Sequence, residues 1–257
     1  MGYNRPMAIS WSSRRQALYY AVATVILVIF AIVVWQVFFT HTPNCFDGTQ
    51  NGTELGVDCG GACALVCPND ARSPLVLWAR AFQTSSSTYT AAAYIQNDNT
   101  AAGARQAKYS FQLFDDQNIL VVEKDGIVDL PPVRTIPIIE PNINVGSRIV
   151  ARTLFSFSEL PSWYTVGTDA VVPLRIIEGN PAADWSRLPV SVVNDSIQDA
   201  HNVVVDAVLF DASGVARAAS KSILQTVAHK SSQDVVFTWP GGVAGIVKAE
   251  VVALPSF

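Results

Sequence analysis

The period of the apolar residues divides the chain into two unlike parts. Ala17 to Phe39 reads ALYYAVATVILVIFAIVVWQVFF, 23 residues with Gln36 as the only strongly polar side chain. A helix rises about 1.5 Å per residue, so this run is long enough to cross a hydrocarbon core of roughly 30 Å. Its β-branched residues disfavour a helix in water. In lipid the backbone must pair internally, and that requirement overrides the preference. Tyr19, Tyr20 and Trp35 lie near its ends, where amphipathic rings suit the headgroup region.

From about Pro74 onward, short runs rich in Val, Ile, Phe and Tyr alternate with clusters of Asn, Asp, Gly and Pro. Long helical periodicity is absent, and the pattern predicts an all-β fold. In Lys108 to Phe114, KYSFQLF, apolar and polar residues alternate as a strand with one wet face requires. Strands are expected at 75–82, 88–96, 105–114, 118–123, 133–140 and 147–157. A second set is expected at 170–177, 187–194, 201–210, 214–221, 233–239 and 246–253. In HNVVVDAVLF, Asp206 interrupts the apolar side at strand period.

The two sets match each other in order. Tyr94-Ile95-Gln96-Asn97-Asp98 aligns with Val192-Val193-Asn194-Asp195, Leu113-Phe114-Asp115 with Leu209-Phe210-Asp211, and Ile136–Pro141 with Val235–Pro240. The offsets are 97, 96 and 99 residues. A repeat of this length suits tandem immunoglobulin-like sandwiches, placed here at 74–157 and 163–257. Phe157 to Pro161 is read as the boundary. Trp163 and Tyr164, just after it, are expected either to pack across the junction or to form an exposed interaction face. Neither unit contains a cysteine, so packing of Phe111, Leu113, Phe155, Val204, Leu209 and Phe237 must hold the cores.

Charge orients the chain. Arg5, Arg14 and Arg15 give the first 40 residues a charge of +3, and the remainder carries 14 basic and 21 acidic residues. The positive-inside rule therefore places residues 1–16 in the cytoplasm, 17–39 across the cell membrane and the rest outside it. A cleaved signal peptide is the rival, but the apolar core is longer than a usual one and lacks a small-x-small cleavage site. Hydrophobic residues make up 50% of the 257-residue chain and charged residues 15%, which excludes general disorder. The net charge of −4 gives no support to a broad nucleic-acid surface.

All four cysteines, Cys45, Cys59, Cys63 and Cys67, fall within a small module at 41–70. Outside the cell membrane they are expected to form two disulfides, with three pairings open. Zinc is the lesser alternative, because C-x13-C-x3-C-x3-C is not a common finger spacing. Asp47, Asn51, Glu54 and Asp58 alternate with Gly48, Gly52 and Gly56, a pattern open to structural calcium or to Asx-rich tight turns. No other cofactor is expected.

The module resembles a Cys-rich motif of bacterial surface and secreted proteins, C-x-D-G-x-x-N-G-x-E-x-G-x-D-C-G-G-x-C. The match is carried by Cys45, Asp47, Gly48, Asn51, Gly52, Glu54, Gly56, Asp58, Cys59, Gly60, Gly61 and Cys63. Each β unit also resembles the short sandwich family built on Phe-x-Leu-Tyr-Asp. Phe111-Gln112-Leu113-Phe114-Asp115 carries it, with Phe114 in place of tyrosine, and Ala207 to Asp211 carries it less closely. These resemblances imply envelope proteins and no shared catalytic residue.

Chemical motifs are missing. There is no G-x-S-x-G, H-E-x-x-H, P-loop or dinucleotide fingerprint, and His41, His201 and His229 are dispersed. Asp115 and Asp116, with Asp211 at the related place, read as hairpin caps rather than a carboxylate pair. The expectation is a membrane-anchored interaction or assembly module without catalytic activity, bound to lipid and to another envelope protein or to itself. Gln36 and the loops at Asn97 and Asn194 are its candidate contacts. The alternatives are a scaffold subunit of a larger membrane complex, or an anchored carbohydrate-binding protein or hydrolase.

Overall fold

A computed structural model describes residues 11–39, 43–167 and 170–257. Arg5, His41 and residues 1–10 of the expected tail lie outside the described residues. Helix α1 runs over Trp11–Phe39, so it begins six residues before the apolar run and includes Arg14 and Arg15 in its first turns. It is long and apolar enough to cross a membrane, and none of its apolar window is buried against the rest of the chain.

Two β-sandwiches follow. In the first, β1 (Leu75–Gln83), β2 (Thr88–Asn97) and β5 (Arg134–Asn144) form one sheet in the order β1-β2-β5. It faces a sheet in the order β4-β3-β6, made of β3 (Ala102–Phe114), β4 (Leu120–Leu130) and β6 (Arg152–Phe157). In the second sandwich, β8 (Arg175–Glu178), β9 (Arg187–Asn194) and β12 (Ser231–Thr238) form the sheet β12-β9-β8. Its other sheet, β11-β10-β13, comprises β10 (Ala200–Asp211), β11 (Ala216–Val227) and β13 (Ile246–Leu254). The pairing is antiparallel throughout. Strand for strand, the two sandwiches share one topology.

The expected strands are present with shifted ends. The run at 147–157 starts as a strand only at Arg152, that at 170–177 shrinks to Arg175–Glu178, and those at 118–123 and 214–221 extend to Leu130 and Val227.

The boundary moves. After the bend at 158–162 the chain returns to the first sandwich, where β7 (Trp163–Thr165) pairs with Ala102–Ala104 of β3. Trp163 is buried in the first core. The other edge of β7 takes up the cysteine module: Tyr164 bridges to Leu65, Val66 N–H donates to Trp163 O at 2.8 Å, and Thr165 N–H to Ala64 O at 2.7 Å. Trp163 and Tyr164 therefore join the module to the sandwich, and Trp163 is no exposed interaction residue. The extended conformation of three residues was too short to show as a period.

The repeated asparagines explain why both sandwiches close in the same way. Asn97 Nδ2 donates to Ala102 O at 3.0 Å and to Pro131 O at 2.9 Å. Asn194 Nδ2 donates to Gln198 O at 2.8 Å and to Val227 O at 2.9 Å. Both side chains are buried and tie the end of one sheet to the other. Their side chains are clamps inside the fold, while the loops around them keep exposed residues such as Asp98 and Ile197. Asp115 and Asp211 act as the sequence suggests. Asp115 Oδ1 accepts from Gln117 and Ile119 N–H, and Asp211 Oδ1 from Ser213 and Val215 N–H, closing equivalent hairpin turns.

Candidate functional site

The two sandwiches dock face to face. On β2 the inward residues Ala91, Ala93 and Ile95 belong to the first core, while Ala92 and Tyr94 point the other way. On β10 Val203, Val205, Ala207 and Leu209 belong to the second core, while Val208 points out. These outward residues, with Ile139, Ala216 and Ala219, form a third buried cluster between the sandwiches. Trp78 stacks on Tyr94 at 4.8 Å, and Phe210 meets Tyr94 edge-on at 6.1 Å. Small alanines on β2 let the sheets approach. Val204 has the same outward parity on β10: it lines the space between sandwiches, so it is not the core residue expected from sequence.

A polar cluster lies at one side of this seam. Tyr109 on β3 donates its hydroxyl to Glu140 Oε1 on β5 at 2.5 Å. Lys221 on β11 donates to Ile139 O at 2.7 Å and approaches Glu140 Oε1 at 4.0 Å. Thus one lysine of the second sandwich is held by the backbone and a carboxylate of the first. Asp206 is the register partner of Lys221 on β10 and is 2% exposed. Its Oδ1 is buried and has no hydrogen-bond partner among the described residues. Burial pushes the Asp206 carboxyl up to about 8, helped by Glu140 and opposed by Lys221. Burial likewise raises the Tyr109 and Tyr94 hydroxyls well above the ordinary phenol range, with Glu140 and Glu250 adding to it.

Asp206, Lys221 and Tyr109 open onto a cavity of about 220 Å³, walled by Pro137, Val204 and Leu254. A bulge in β3 and two left-handed residues shape its mouth. Gln106 and Asn202 occupy equivalent places on β3 and β10, both with positive φ, at 51° and 48°. Gln106 N–H is held by Asp129 Oδ1 at 2.8 Å. Gly126 on β4 is required opposite Tyr109, because a Cβ there would meet the phenol ring at 2.4 Å. Sequence reasoning noted Asp206 as an interruption in β10 but missed Glu140 and Lys221. The available signal was a strand apolar on both faces, which a sheet has only when both faces are covered.

The cysteine module holds the disulfides Cys45–Cys63 and Cys59–Cys67, which selects one of the three pairings. All four sulfurs are thereby oxidised, and zinc thiolate ligation is replaced by crosslinks. The acids of the module serve its backbone. Asp58 carboxylate oxygens accept from Asp47 and Gly48 N–H, and Glu54 Oε2 from Asn51 and Asp58 N–H. Asp47 accepts from Thr49 and Asn51, and these bonds hold its carboxyl below the usual range. Among the described residues Glu54 converges with Cys45 and Cys63, not with Asp47 and Asp58. A disulfide offers no thiolate, so that trio is a poor metal site. Asp47, Glu54 and Asp58 thus accept from the turns that close the loop, while Asn51 Oδ1 is buried with no hydrogen-bond partner among the described residues. Gln36 is exposed on α1, far along the helix from its basic end.

No protein-family model and no curated protein matches this chain. Among solved structures it is similar to red sea bream transglutaminase, at 9% identity and TM-score 0.23, over 71% of this chain and 29% of that one. It is also similar to a putative β-galactosidase from Bacteroides fragilis, at 10% identity and TM-score 0.16, over 67% of this chain and 33% of that one. The chain spans a third or less of either protein, and superpositions this loose carry no argument about what it does.

Proposed function

We propose that the chain is a membrane-anchored interaction or assembly module of the cell envelope. Helix α1 is its single-pass anchor, with the short N-terminal segment cytoplasmic and the disulfide module and sandwiches extracytoplasmic. Arginines before the apolar run and disulfides after it support this orientation. The observation that carries the reading is the continuity of the body beyond the anchor. The module is hydrogen-bonded into the first sandwich through β7, and the first sandwich is packed on the second through a buried cluster. Parts packed on one another in this way suit presentation of fixed surfaces to another envelope protein or a second copy.

Crosslinking with mass spectrometry on native membranes tests it. Recurrent crosslinks from residues 74–257 to one envelope protein, or symmetric self-crosslinks, are expected. Background-level crosslinks alone would sink the assembly role. Changing Gln36 to Leu is expected to weaken lateral association, because amide side chains hydrogen-bond across helices in lipid. Unchanged association would remove Gln36 from the contact.

A further inference from the structure

We infer that the cavity between the two sandwiches is a binding site for a small primary ammonium bearing a short apolar tail, with its head on Asp206. Three observations meet there. Asp206 is buried at the cavity wall, and its Oδ1 has no donor among the described residues. A buried acceptor without a donor is costly, so a ligand that supplies one is favoured. Lys221, the nearest cation on the same face, is already committed to Ile139 O and to the Glu140 side of the seam.

The charges select the ligand class. With Asp206 ionised, Glu140 and Lys221 balance each other and one negative charge remains. An ammonium neutralises it. An anion would add a second uncompensated charge in a poorly solvated place. Asp129 at the rim adds negative potential at the mouth. The remaining wall is apolar, formed by Pro137, Ile138, Val204 and Leu254. The cavity, about 220 Å³, is below the range of roughly 300–1,000 Å³ usual for drug-sized ligands, so the tail is short.

Binding carries a proton signature. In the empty site the carboxyl is neutral up to about pH 8. The ammonium requires the carboxylate, so the Asp206 proton passes to buffer on binding. Apparent affinity therefore rises about tenfold per pH unit until that value is passed.

The test is calorimetric titration of the full chain in detergent micelles with n-butylammonium, and with n-butanol as the neutral isostere. The expected result is saturable binding of butylammonium, at least about tenfold tighter than butanol. It should be accompanied by proton release at neutral pH, read from the buffer dependence of the heat. Asp206→Asn is expected to lower affinity by at least about tenfold and to abolish the proton release. Equal binding of the two probes, no saturable binding, or unaltered binding by a folded Asp206→Asn chain overturns the proposal. The comparison of probes uses the unaltered protein, so it decides the matter even where the variant misfolds.

Discussion

The two sandwiches have the same strand order, the same asparagine clamp and the same aspartate turn, yet they are built from different materials. The first core is aromatic: Tyr109, Phe111 and Phe155 lie within 5.0–5.8 Å of one another in stacked and edge-on pairs. The second puts Val205 and Ala207 on β10 at the places of Tyr109 and Phe111, and Val251 on β13 opposite Ala207 as Phe155 lies opposite Phe111. The outward faces differ as well. Ser110 on β3 is satisfied within its own sandwich by Glu123, whereas its counterpart Asp206 on β10 faces the seam to the first sandwich. A shared topology therefore fixes which backbone atoms must be tied. It leaves open how the core is filled and which face is covered.

The largest expected effect tests the cores. Phe111→Ala should destabilise the first sandwich by about 3–5 kcal/mol, and Leu209→Ala the second by about 2–5 kcal/mol. Urea unfolding followed by domain-specific probes measures both. If the seam couples the sandwiches, each variant shifts the transition of both. Two independent transitions would show that the seam contributes little.

Asp206 gives the next effect, and its sign follows from linkage. Its folded carboxyl is raised from 3.8 to about 8, so its neutral form is favoured by folding. That contribution is whole below about pH 4 and is lost as pH rises through about 8. The groups facing it are Lys221 on β11, Glu140 on β5, Tyr109 on β3 and, farther off, Tyr94 on β2. Asp206→Asn should raise stability on the order of 3 kcal/mol near pH 8 and change it little near pH 4. Thermal unfolding across that window checks it, and a gain independent of pH would contradict the buried carboxyl.

The smallest effect sharpens the likeness. Asn97→Ala and Asn194→Ala each strand buried carbonyls and should cost about 1–3 kcal/mol. Similar losses by denaturant midpoint would confirm one clamp used twice. A large inequality would mean that Asn99, which donates to Asn97 Oδ1 and to Arg72 O, carries part of the first clamp.

Strand positions were legible because alternation at period two is imposed by the pleat, as in Lys108 to Phe114. The repeat was legible because Asn97/Asn194 and Asp115/Asp211 hold fixed places. What those asparagines bond to was not, since a buried amide and a loop amide look alike in sequence. β7 escaped because three residues carry no period, and with it went the true end of the first sandwich. The polar cluster escaped for a different reason. Tyr109, Glu140, Asp206 and Lys221 lie on four strands of three sheets and meet only when the two sandwiches dock.

The short strand β7 also has a mechanical meaning. A pull on the second sandwich travels back along the chain through Thr165 and Trp163, which are laced on one edge to β3 and on the other to Ala64–Val66. Those bonds share the load side by side, and behind them the two disulfides crosslink the module covalently. Tension that reaches β7 is thereby passed to the base of the body, next to the membrane anchor.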